Sequence, residues 1–187
     1  VDLSGWMQPL AWLAAILSDV TVTVFNGYVT PKPYTNVVHI PNGVDMAKFE
    51  NCWNKRSRGS SAENLHKKIF AVGRLSSEKG HRYLIDAVGL VKKSHPEVEL
   101  WIAGDGELRA SLEKQVVEKK MTDCVKFLGN RKDIEELMAK VDVFVLPSLH
   151  EGFGLAAAEA MACGLPVVAT EAVKVNQLIE DGTSGFV

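Results

Sequence analysis

Glu151 and Glu159 stand eight positions apart in the run His150-Glu151-Gly152-Phe153-Gly154-Leu155-Ala156-Ala157-Ala158-Glu159. Ionised carboxylates only accept hydrogen bonds, so two of them held at that spacing suit a ligand with several hydroxyls, such as a sugar or a ribose. The plain alternative is an exposed helix glutamate at 159 and a helix-dipole partner at 151. Upstream, Arg74 and Lys79 offer a planar donor fork and a point charge. Together those groups suit a diphosphate, although a solvated surface pair is the ordinary state of such residues. Gly152 and Gly154 carry no Cβ, so the backbone of Phe153, Gly154, Leu155 and Ala156 can come close to a ligand. Hydroxyl acceptors beside diphosphate cations point to a nucleotide-sugar site.

Other candidates are weaker. Gly129-Asn130-Arg131 follows an apolar run, and Arg131 either stacks on a nucleobase or lies on the surface. Gly104-Asp105-Gly106 opens like a dinucleotide fingerprint, but Arg109 occupies the place of the third glycine. A tight turn into a helix is the better account. His39, His66, His81, His95 and His150 show no metal-ligand spacing, and no Asp-x-Asp pair is present, so a metal-free site is expected. No Gly-x-Ser-x-Gly elbow or Cys/His dyad supplies a nucleophile.

These residues need a scaffold. Short apolar strands alternate with helical stretches from Lys68 onward: strands at 69–72, 99–102, 125–127, 143–146 and 166–169, and helices near 80–93, 107–119, 132–139 and 176–180, with one more carrying Glu159. A further strand opens at Gly185-Phe186-Val187. Such alternation predicts an α/β fold, a Rossmann-like parallel sheet with helices on both faces. Right-handed crossovers then collect the βα loops, and with them the candidates above, at one edge. The expected organisation is a stub of helix (Trp6–Leu17) and strands (20–25 and 37–40) over 1–50, an exposed loop over 51–67, and a nucleotide-sugar-binding domain over 68–187.

A hydrophobic fraction of 47% and a charged fraction of 24% supply a core and exclude a disordered chain. A net charge of −2 gives no bulk case for nucleic acid or an anionic membrane. Three cysteines without a CxxC fit a reducing, cytoplasmic compartment, and Cys124 and Cys163 sit in apolar surroundings that predict burial. The apolar run Trp6–Leu17 is shorter than the about 20 residues that a membrane span needs.

Glu151 through Glu159 resembles the E-x7-E motif of retaining glycosyltransferases of family four, which have the GT-B fold. Four more blocks match in order: Ile40-Pro41-Asn42-Gly43-Val44-Asp45, Val72-Gly73-Arg74-Leu75-Ser76-Ser77-Glu78-Lys79-Gly80, Ile102-Ala103-Gly104-Asp105-Gly106 and Val125-Lys126-Phe127-Leu128-Gly129. The resemblance covers roughly residues 20–187. It implies glycosyl transfer from a UDP- or GDP-linked sugar with no further cofactor. It places Arg74 and Lys79 on the pyrophosphate, Glu159 on the ribose, Glu151 at the sugar, and the loop of Gly129 and Arg131 beside the base. It implies that an N-terminal acceptor domain is missing here. Further expectations are peripheral membrane association through that domain, at the inner face of the membrane, and self-association of this chain. A nucleotide-sugar-binding module without catalysis and a GT-B-type nucleotide-sugar epimerase are the alternatives. Where the family usually has Gly-Gly and then Glu after Val168-Ala169-Thr170, this chain has Val173-Lys174 and then Gln177. Those side chains could add a contact or narrow the pocket.

Overall fold

The computed structural model describes residues 20–23, 37–40, 42–59, 67–171 and 178–187. The expected helix Trp6–Leu17 and the Val173-Lys174 departure lie outside them. The chain divides into two compact units, Val1–Gly43 and Val44–Val187. In the first, β1 (Thr21–Thr23) pairs in parallel with β2 (Val37–His39).

The second unit opens with α1 (Met46–Gly59). Much of this helix falls where polar composition predicts an exposed loop over 51–67. The apolar stripe is only Phe49 and Cys52, one turn apart and both 2% exposed. Long-range polar contacts complete the anchoring. Lys48 lies 3.2 Å from Glu135, Lys55 lies 2.8 Å from Glu136, and the Arg56 guanidinium donates to the carbonyls of Met138 and Val141. Residues 60–66 lie outside the described set.

Five parallel strands follow: β3 (Lys68–Val72), β4 (Glu99–Ala103), β5 (Val125–Gly129), β6 (Val143–Leu146) and β7 (Val167–Ala169). Their order across the sheet is β5-β4-β3-β6-β7. Alternate side chains face opposite layers, as the pleat requires. Phe70 and Phe144, ring centroids 6.1 Å apart and edge to face, belong to one core with Phe49, Met138 and Ala157. Ala71, Leu100 and Ile102 face the other, with Leu84, Ile85 and Val88 of α2 (His81–Val91) and Leu112 and Val116 of α3 (Arg109–Glu118). The first core is covered by α1, α4 (Ile134–Met138) and α5 (Leu155–Ala162). Helices on both faces of a parallel sheet are the expected architecture.

All three cysteines are buried and free, and burial pushes each thiol up. The expected helix over 176–180 is not continued at 178–180, which are non-helical, and the expected strand at 185–187 is reduced to isolated bridges, Val168 to Phe186 and Asp181 to Gly185. No helix among the described residues is long and apolar enough to cross a membrane.

Lys120 ends α3 in the left-handed region, φ 56°. Its amide and that of Met121 return to Val117 and Val116 at 3.0 and 2.9 Å, a turn that ordinarily takes glycine. Lys120→Gly is therefore expected to stabilise the protein by about 1 kcal/mol. Thermal unfolding would show this as a rise of about 2–4 °C, and an unchanged midpoint would mean that the lysine bears no strain.

Candidate functional site

Loops after neighbouring strands turn to opposite faces at one place in this sheet. The β3 crossover runs through α2 to β4 on one side, and the β6 crossover runs through α5 to β7 on the other. The reversal leaves a crevice at the carboxyl ends of β3 and β6, where open α/β sheets bind ligands. Arg74 and Lys79 follow β3, and Glu151 and Phe153 follow β6.

Close backbone packing draws the two loops together. A 3-10 turn, Ser77–Lys79, ends at Gly80 with φ 65°. A Cβ on Gly80 would lie 1.9 Å from the Pro147 carbonyl oxygen, so only glycine lets this turn rest on the end of β6. The Glu78 carbonyl accepts from the amides of Leu149 and His150 at 2.7 and 3.4 Å. On the other side, a Cβ on Gly104 would lie 1.9 Å from the Gly73 carbonyl oxygen. Leu75 donates its amide to Asp105 O at 3.0 Å, and Leu108 donates to Leu75 O at 2.9 Å. The Gly104-Asp105-Gly106 turn leads into α3, as expected, and it also braces the Arg74 loop.

Lys79 reaches across the crevice and places its Nζ 2.6 Å from Glu151 Oε2. Both side chains are largely covered, 24% and 18% exposed, so the pair is shielded more than an ordinary surface ion pair. Ser148 Oγ donates to the same oxygen at 3.2 Å, and the Gly152 amide reaches Oε1 at 3.3 Å. Arg74 is exposed and forms no ion pair among the described residues. Gly154, φ 77°, precedes α5, whose first turn presents N–H groups without intrahelical partners. Among the described residues the crevice therefore combines a guanidinium without an ion-pair partner, an ammonium shared with a carboxylate, and a helix N-terminus.

Glu159 lies within α5 and is half-buried. Burial pushes its carboxyl up, the Lys48 ammonium pulls it down, and Glu135 pushes it up again. It is more covered than an ordinary helix glutamate, and its charged neighbours come from α1 and α4. Gly129 closes β5 and accepts the Gly104 amide at 2.8 Å. The Arg131 guanidinium is engaged by Asp133 through two bonds of 2.8 and 2.6 Å, made at its edge rather than its face. Two surface grooves, about 360 Å³ beside Lys92, Lys93, Lys119 and Lys120 and about 540 Å³ between Lys48, Lys55, Glu135 and Glu136, are lined by none of Arg74, Lys79, Glu151 or Glu159. Among the described residues no group of three or more His, Cys, Asp or Glu is arranged to hold a metal ion.

Two buried groups beside the site carry no sequence signal. Ser148 is 0% exposed, and its Pro-Ser setting resembles any strand end. His81, 2% exposed, opens α2 behind Gly73 and Arg74. Among the described residues neither ring nitrogen has a hydrogen-bond partner of good geometry, although the backbone of Gly73 and Arg74 faces the ring. Burial above all, with help from the Lys79 charge, lowers His81 to about 4.

Known proteins share this fold. HepE of Anabaena, solved with UDP and glucose, superposes with a TM-score of 0.79 at 27% identity, over 98% of this chain and 52% of that one. A GDP-mannose-dependent alpha-(1-6)-phosphatidylinositol dimannoside mannosyltransferase of Mycobacterium tuberculosis is 34% identical over 78% of this chain and 38% of its own length. The UDP-Gal:alpha-D-GlcNAc-diphosphoundecaprenol alpha-1,3-galactosyltransferase of Escherichia coli is 33% identical over 90% of this chain and 44% of its own. The chain thus spans less than half the length of these two relatives. A family model described as glycosyl transferases group 1 matches residues 66–187, which contain the whole crevice, and the chain belongs to that family.

Proposed function

We propose that this chain binds a nucleoside-diphosphate sugar at the β3/β6 crevice and supplies the donor side of a glycosyl-transfer site. The observation that carries this reading is the placement of Arg74, the Lys79–Glu151 pair and the start of α5 at the point where the sheet reverses its winding. Solved relatives with UDP or UDP-glucose support the class of ligand.

The chemistry follows from charge. As the bond between the anomeric carbon and the diphosphate breaks, the diphosphate gains negative charge and the sugar gains positive charge. Arg74, Lys79 and the α5 N-terminus stabilise the leaving group, without a metal in our account. Glu151 orients the sugar and offsets its oxocarbenium character. Glu159 accepts from the ribose, and the loop of Gly129 and Arg131 borders the base. Transfer proceeds with retention of anomeric configuration. Lipid-linked glycans are the acceptor class we propose, since the mannosyl- and galactosyltransferase relatives are named for such acceptors.

Thermal unfolding in EDTA tests the donor reading. Either UDP or GDP at a hundred times its dissociation constant should stabilise the chain by about 2.7 kcal/mol. No shift with either nucleotide would remove the reading.

A further inference from the structure

We propose that Ser148 positions Glu151 for the donor sugar. This rests on the donor reading above and extends it to a residue buried beneath the site.

Glu151 is tied to Lys79, yet Lys79 is also one of the two cations that the donor reading sets on the diphosphate. An ammonium has three protons and can serve a carboxylate and a phosphate together. When phosphate draws Lys79, a carboxylate held by Lys79 alone would follow it. Ser148 supplies a hold that does not move with the ligand. It is 0% exposed, and its Oγ donates to Glu151 Oε2 at 3.2 Å. Lys79 Nζ reaches the same oxygen at 2.6 Å. Oε2 is thereby engaged by two side-chain donors. Among the described residues Oε1 meets only the Gly152 amide, at 3.3 Å, and stays available to a sugar hydroxyl.

The serine is itself fixed from both sides of the crevice. Its carbonyl accepts the Thr170 hydroxyl at the end of β7, and the Thr170 amide donates to Leu146 O at 3.2 Å. The next two residues, Leu149 and His150, hang from the Glu78 carbonyl just before Lys79. A hydrogen-bond chain therefore runs from β7 through Ser148 to Glu151, independent of the Lys79 charge. Because a hydroxyl is neutral, losing it should leave attraction for the diphosphate unchanged and affect only the sugar.

Calorimetric titration of the chain with UDP, UDP-glucose, GDP and GDP-mannose tests this. For Ser148→Ala, the nucleotide that binds should keep its affinity within about twofold, while the matching nucleotide sugar weakens about tenfold, as for a lost hydrogen bond to a charged group. Ser148→Cys, nearly the same size but a poor donor, should act in the same direction and guards against misfolding of the alanine variant. In the Glu151→Ala background, Ser148→Ala should add nothing, because the acceptor that Ser148 holds is already gone. Equal weakening of nucleotide and nucleotide sugar, or full additivity with Glu151→Ala, would overturn the proposal. Wild-type chain that binds no nucleotide would instead overturn the donor reading, and this inference with it.

Discussion

Gly80→Ala is expected to destabilise the protein by about 3 kcal/mol and to separate Lys79 from Glu151. The added methyl would stand 1.9 Å from the Pro147 carbonyl oxygen, a backbone atom that cannot turn aside. The residue would also hold φ 65°, which disfavours any side chain. Overpacking and left-handed strain each contribute about 1–3 kcal/mol, and a shift of the turn relieves part of the sum. That shift carries the functional consequence. Moving Ser77–Lys79 off Pro147 breaks the Glu78 bonds to Leu149 and His150 and withdraws Lys79 from the carboxylate at 2.6 Å. Urea unfolding should show the loss as a lower midpoint at unchanged slope. Wild-type stability in this variant would mean that the turn does not press on β6.

Acid should weaken the fold through His81 before it protonates the depressed carboxylates Asp86, Glu99 and Asp123. The ring is neutral in the folded chain down to about 4, against an ordinary value of 6.5. Between those values the unfolded chain binds a proton that the folded chain refuses, so stability falls as pH drops through this window. It is fully present above 6.5 and levels off below 4. A depression from 6.5 to about 4 corresponds to about 3 kcal/mol. Asp86, Glu99 and Asp123, held low mainly by hydrogen bonds from Lys119, Lys126 and Lys92, add their own losses at lower pH. Comparing the chain with His81→Gln isolates the histidine. The variant should lose the slope between pH 6.5 and 4, and identical pH profiles would contradict the assignment.

The sheet was legible because its strands are short apolar runs bounded by polar turns. Ile69–Val72 and Val143–Leu146 have no other plausible state in a βα alternation. Helix α1 was not, because local pattern offers only Phe49 and Cys52, while its ties to Glu135, Glu136, Met138 and Val141 join residues about 80 apart. Candidate site residues were legible as types at loop positions. Their pairing was not. Lys79 and Glu151 are 72 residues apart, and their contact depends on β3 lying beside β6, which chain order does not reveal. Arg131 pairs with Asp133 two residues away, a local contact that needs no fold to form it. Ser148 and His81 became visible only through burial. A serine after a proline and a histidine after a glycine carry no periodicity to mark them.

The most direct measurement is calorimetric titration of the chain with UDP and GDP in EDTA, beside an Arg74→Ala/Lys79→Ala variant that keeps its fold by circular dichroism. Metal-independent binding of one nucleotide is expected, weakened at least about a hundredfold in the variant, as follows when charge-assisted partners are removed. Undiminished binding by the variant would place the nucleotide elsewhere and contradict the assignment of the β3/β6 crevice as the donor site.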